Sequence, residues 1–374
     1  MAARPPEEPM SHYERRLQAD LDAIHAEVAA IGGLVEHAVM RAVRCLLDGD
    51  PDEAAEVILD DLPINRRVRA LDARCHAFVA RHLPAAGPLR TVSSVLRINI
   101  ALERIGDYAT TIAREAVKLQ APVPDHIARH LRSMDERTRH MLRQAIQAWT
   151  DENPDLARGT MAMADGIDLS LDNGFQDLLA AGSGPDPVPL HDLFALLIVF
   201  NRLERVSDQA KNLCEETVFA TTGQAKAPKV YRILFVDEHG DGFSQLARAM
   251  AIRAFPESGH YEAAGWDAAA IVDPVVRDFM EARGLDAEGI QPVGIQQLDL
   301  EGRPFHVIVD LAPEYCRRTV ELPFRSVCLR WDLGPGPGPG DDPETVARKL
   351  EYATRELSGR ITSLIERLRG PDAR

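Results

Sequence analysis

Cysteine is scarce in this chain. Its five residues (Cys45, Cys75, Cys214, Cys316 and Cys328) are scattered, with no CxxC pair. That excludes a disulfide framework and a zinc–cysteine site. Apolar runs are short, and none approaches the ~20 residues that cross a bilayer. The opening stretch, "MAARPPEEPMSHYERR", is charged and has no apolar segment, so it does not read as a secretory signal. A cytoplasmic location is expected, with membrane association only through partners. Positive charge is also in deficit: 43 Lys and Arg stand against 58 Asp and Glu, a formal charge of −15. Nucleic-acid binding needs basic faces to neutralise phosphates. A basic protein partner or a metal cation suits this balance better. The first 220 residues hold no Ser-His-Asp or Cys-His set for nucleophilic work. His12, His25, His37, His76 and His82 sit singly on helical patterns and read as surface or core-edge residues.

The chain does have helical periodicity, and the pattern repeats. Residues 11–48, 52–83 and 89–119 form one set, punctuated by Pro51, Pro84 and "AAGP" at 85–88. After "APVPD" the pattern recurs over 125–149, 153–180 and 190–218. "VLRINIALERIGDYATTIAREA" (95–116) aligns without gaps on "LLIVFNRLERVSDQAKNLCEET" (196–217), and "DGDPDEAAEVI" (48–58) echoes "DENPDLARGTM" (151–161). Two three-helix bundles related by a pseudo-two-fold are the simplest architecture.

Leu102, Ile105, Ala109 and Ile112 have the spacing of one inward helix face, as do Leu203, Val206, Ala210 and Leu213. One position round, Glu103 and Asp107 share a flank, and so do Glu204 and Asp208. Like charges four apart repel by roughly a few tenths of a kcal/mol on an exposed helix. Two readings stay open. The flanks are solvated, with Arg104 and Arg205 nearby, or a cation turns repulsion into coordination. All-oxygen sites suit Mg²⁺, Mn²⁺ or Fe³⁺, with zinc a further candidate.

The duplicated layout, "GGLVEHAV" (32–39), "PLRTVSSVLRINIALERIGDYA" (88–109) and "LERVSDQA" (203–210) resemble the PhoU family over residues 11–220. The resemblance implies a regulator of phosphate uptake that connects a phosphate ABC transporter to a sensor histidine kinase and represses the phosphate-starvation response. A homodimer is compatible with it. It also implies metal clusters at Glu103, Asp107, Glu204 and Asp208. Pro88 replaces the acid that often precedes Leu-Arg in the family. Asp61 and Asn65 stand where an acidic pair is common, and Asp165, Asp168 and Asp172 fall on the corresponding helix of the second half.

Residues 221–229 read as a linker, after which strands alternate with helices: 232–236, 261–266, 305–311 and 326–333 as strands, and 244–254, 273–284 and 343–368 as helices. That is an α/β domain with a parallel sheet over 230–370. Its first strand, "ILFV", leads into a loop with Gly240 and Gly242, and then a helix. This is the outline of an anion cradle, yet it carries Asp237, Glu238 and Asp241 and no Lys, Arg or Cys. Ile233–Val236, Ser244–Ala247, "AAGWDA" (263–268), "GLD" (284–286), Trp331 and Asp342-Pro343 resemble the low-molecular-weight tyrosine phosphatases and arsenate reductases. By that resemblance Asp237 replaces the nucleophilic Cys, Phe243 the loop Arg and Gly240 a structural Asn. Asp342 matches the general acid behind a "GPGPGPG" insert (334–340), and Cys316 has no redox partner at a suitable spacing. Losing the Arg forfeits two charge-assisted bonds of about 1.5–3 kcal/mol each, roughly 10²–10⁴-fold in anion affinity.

A degenerate phosphate loop (Asp237, Gly240, Gly242, Phe243, Ser244) in a catalytically inactive domain is therefore expected. Either the loop is a relic on an interaction surface, or the Asp237 carboxylate fills the cradle itself. The rival classes are a phosphatase or arsenate reductase with a helical regulatory part, and a metal-storage bundle. A receiver domain with Asp310 as phosphoacceptor fits poorly, because its spacing from "ILFVDE" is some thirty residues too long.

Overall fold

The computed structural model describes residues 11–373 apart from 185, 227, 288, 301–304, 312–325, 339 and 372. The chain divides into two compact units, Met1–Lys226 and Ala227–Arg374.

The first unit is helical: α1 (His12–Asp48), α2 (Pro51–His82), α3 (Ala86–Lys118), α4 (Asp125–Thr150), α5 (Pro154–Met161), α6 (Ala164–Ser183) and α7 (Leu190–Thr222). The echo between "DGDPD" and "DENPD" is a duplicated helix start. Asp50 Oδ1 accepts from the amides of Asp52 and Glu53 (3.1 and 3.0 Å), and Asn153 Oδ1 accepts from those of Asp155 and Leu156 (3.1 and 3.0 Å). Each cap is followed by a proline at the first helical position, where no N–H is needed.

The expected single helix over 153–180 is two helices. At the break, the Met163 amide bonds the Thr160 carbonyl, a tight three-residue step. The matched place in the first repeat is Leu59, whose carbonyl loses its normal partner because Pro63 lacks an N–H. Both repeats thus interrupt the ladder at one point, and only α2 continues through it.

In the first repeat α1, α2 and α3 pack on one another. In the second, α4, α5 and α6 pack on α7. The α3–α7 and α1–α4 contacts join the halves. One continuous core results. Both expected stripes lie in it, with all eight residues fully buried. α1 is long and apolar enough, by length and composition, to cross a membrane. Its apolar positions, Ile24, Val28, Ile31, Val35 and Val39, form the bundle core instead.

The second unit holds β1 (Tyr231–Asp237), α8 (Phe243–Ala254), β2 (Gly259–Gly265), α9 (Pro274–Ala282), β3 (Val307–Asp310), β4 (Val327–Arg330) and α10 (Pro343–Arg369). The strands form a parallel sheet in the order β2-β1-β3-β4. The chain steps from β1 to one side and returns to the other. The loop after β1 therefore lies at the switch point, beyond the strand C-termini, where open α/β sheets bind ligands. Asp310 ends β3 and is fully buried, a poor position for a phosphoacceptor.

Candidate functional site

Two places carry candidate chemistry: the acidic flanks of α3 and α7, and the loop between β1 and α8.

The flanks match in sequence but not in environment. On α7, Glu204 is buried and Asp208 half-buried. Arg205 bridges them: its Nε lies 3.5 Å from Glu204 Oε2 and its Nη1 donates to Asp208 Oδ2 at 3.3 Å. An internal cation already answers that pair. On α3, Glu103, Arg104 and Asp107 are all exposed, and Arg104 forms no such bridge among the described residues. A third acid comes in from α2. Asp61 Oδ2 accepts from Asn65 Nδ2 at 2.6 Å, while its buried Oδ1 has no hydrogen-bond partner. A Cβ on Gly106 would lie 3.0 Å from that Oδ1, so glycine lets the carboxylate approach the α3 backbone. Burial raises the Asp61 pKa, and the charges of Asp107 and Glu103 raise it further. Among the described residues no group of three His, Cys, Asp or Glu is assembled to hold a metal ion. Asp165, Asp168 and Asp172 lie on α6. Sequence reasoning had paired α3 with α7. Asp61, at a position where the family resemblance places an acidic pair with Asn65, is the acid that α2 brings to this flank.

The loop is built more tightly. Asp237 ends β1 and turns its carboxylate into the loop. Oδ1 accepts from the Gly240 amide at 2.5 Å and Oδ2 from the Ser244 amide at 2.8 Å. Burial raises the Asp237 pKa. The amide and hydroxyl of Ser244 and the amides of Gly240 and Gly242 act in the opposite sense, because each favours the charged form. Gly240 adopts φ +67°, and a Cβ there would meet the Gly265 nitrogen at 2.6 Å. The loop is thus clamped against the end of β2 in a way only glycine allows. Gln245 Nε2 donates to the Gly240 carbonyl at 2.7 Å and holds the turn from inside.

The Asp237 carboxylate thus engages two of the loop amides. Phe243 packs in the hydrophobic core, so its position supplies no charge to the loop. Asp342 caps α10, accepting from the amides of Glu344 and Thr345 (both 3.0 Å) and from the Thr345 hydroxyl (2.8 Å). Both of its oxygens are occupied structurally. Asp341 ties the glycine–proline insert down, accepting from Gly338 N (2.7 Å) and Lys349 Nζ (2.6 Å). Burial pushes the thiols of Cys45 and Cys75 up to about 11 and that of Cys214 to about 12, and raises Cys328 as well. None of these is poised as a thiolate. Cys316 lies outside the described residues.

Residues 28–116 and 131–217 each match the PhoU domain. The phosphate-specific transport system accessory protein PhoU homolog of Pseudomonas putida is 32% identical over 216 residues, 57% of this chain and 83% of that protein. The accessory protein PhoU of Escherichia coli is 26% identical over 213 residues, 57% of this chain and 88% of its own length. The crystal structure of PhoU from Pseudomonas aeruginosa matches with a TM-score of 0.53 at 28% identity, covering 55% of this chain and 99% of that one. The arsenate reductase of Archaeoglobus fulgidus matches 34% of this chain and 98% of its own at 27% identity. Its TM-score of 0.28 settles neither the fold nor the chemistry of the second unit. The two matched repeats, and relatives covered along most of their length, make this chain a member of the PhoU family.

Proposed function

We propose that the chain is an accessory regulator of phosphate-specific transport that acts by protein contact, with a second unit that does no chemistry. The match to 83% of a phosphate-transport accessory protein, through both repeats, carries the reading. The partners are a phosphate ABC transporter and a sensor histidine kinase, and the effect is to restrain uptake and the starvation response when phosphate is plentiful. The work is done in the cytoplasm, at the membrane only through those partners, by a monomer or a homodimer. The loop of the second unit supports the absence of catalysis, because its amides are engaged by Asp237.

The acids of the first repeat are the better candidates for a cation. Arg205 neutralises the second pair, whereas the charges of Asp107 and Glu103 act on Asp61 with no such bridge.

The test is a deletion strain grown in high phosphate. Starvation genes should be expressed despite the phosphate, and the full chain should restore repression. Normal repression in the deletion strain would sink the reading. Elemental analysis of the purified protein, beside an Asp61/Glu103/Asp107 triple alanine variant and a Glu204/Asp208 double variant, tests the metal. Metal lost only in the triple variant supports the assignment; equal content in all three proteins removes it.

A further inference from the structure

We propose that the second unit is a self-occupied oxyanion cradle. The Asp237 carboxylate sits at the N-terminus of α8 where a tetrahedral oxyanion such as inorganic phosphate would sit, and holds the loop in its occupied shape at any phosphate concentration. The assignment stands apart from the transport reading, since it rests on the loop alone.

Three features carry it. The amides of Gly240, Gly242 and Ser244 converge on one carboxylate at a helix start. That is the donor set and field which bind anions at such ends. The Ser244 hydroxyl is also there, fully buried and beside the same carboxylate, whose charged form it favours. A tetrahedral anion with four oxygens would offer an acceptor to each of these donors. Finally, the carboxylate has no Lys or Arg partner among the described residues, so neutral donors, the loop amides and the Ser244 hydroxyl, hold it. Such an arrangement excludes a free anion twice over. A tethered carboxylate competes at an effective concentration of about millimolar or more, and its charge, with that of Asp241 nearby, repels a second anion.

The consequence is a unit whose loop never reports anion level. A partner that docks on this face meets the occupied shape constitutively.

The experiment uses the full chain with inorganic phosphate and sulfate as probes. Binding is read by calorimetry, and loop order by amide hydrogen exchange over residues 238–246. Wild type should bind neither anion and should protect the Gly240 and Ser244 amides equally with and without phosphate. Asp237→Gly should raise exchange at those amides by at least about tenfold, should bind both anions, and should regain protection when phosphate is added. Asp237→Asn keeps the volume and should lose protection without gaining binding. If the glycine variant misfolds, the wild-type exchange still decides. A loop that is unprotected until phosphate arrives overturns the proposal, and one protected throughout supports it. A folded glycine variant with unchanged exchange and no anion binding also overturns it.

Discussion

Asp61→Asn is expected to stabilise the helical unit at neutral pH. The wild-type carboxylate has one oxygen held by Asn65 and one buried without a partner. It faces Asp107 and Glu103, and burial together with those charges raises its pKa. Each like-charge pair costs about 0.2–0.5 kcal/mol, and asparagine removes both while its one oxygen keeps the bond from Asn65. Relief of up to about 1 kcal/mol moves the midpoint of a unit this size up by as much as roughly 2–4 °C. The sign of the pH dependence follows from the raised pKa. A proton on Asp61 favours the folded state, so the wild type is relatively most stable below the ordinary aspartate range. It loses that advantage as pH rises through the raised value. The variant has no such decline. Thermal unfolding by far-UV circular dichroism in chelator should therefore separate the two proteins at neutral pH and bring them together in acid. Added Mn²⁺ should stabilise the wild type and reverse the order if the acids of α2 and α3 bind it. A variant less stable than wild type at neutral pH in chelator would refute the repulsion argument.

Asp135 gives a second pH signature. Burial pushes it up to about 6 despite the Arg139 guanidinium at 3.0 Å. Wild-type stability should thus fall as pH rises from the usual aspartate range through about 6, and Asp135→Asn should flatten that part of a midpoint-versus-pH curve. Gly240→Ala should destabilise the second unit by about 1–3 kcal/mol, through a positive φ and a contact with Gly265; urea unfolding checks it, and an unchanged midpoint would deny the clamp. Asp50→Ala and Asn153→Ala should each cost about 0.5–2 kcal/mol. Equal losses in denaturant titrations would show that the two caps are equivalent, as their geometry requires.

Periodicity and repetition in the sequence were enough to place six helical segments, the duplicated core stripes and the alternation that makes the second unit α/β, because a buried face imposes its spacing on the chain directly. The capping echo at Asp50 and Asn153 is equally local. The break between α5 and α6 was not legible, since nothing like Pro63 marks it in the second repeat. The difference between the two acid pairs was invisible for another reason. "LER" is identical in both, yet Arg205 bridges its neighbours and Arg104 does not, and Asp61 enters from a separate helix. The loop divides the same way. The residues alone showed that Asp237 stood where no cation could hold a free anion. Whether its carboxylate faced solvent or the loop amides depended on how Gly240 crosses Gly265 at the end of β2, a contact between segments some 25 residues apart. Side-chain identity sets which interactions are available, and the packing of distant backbone decides which of them are made.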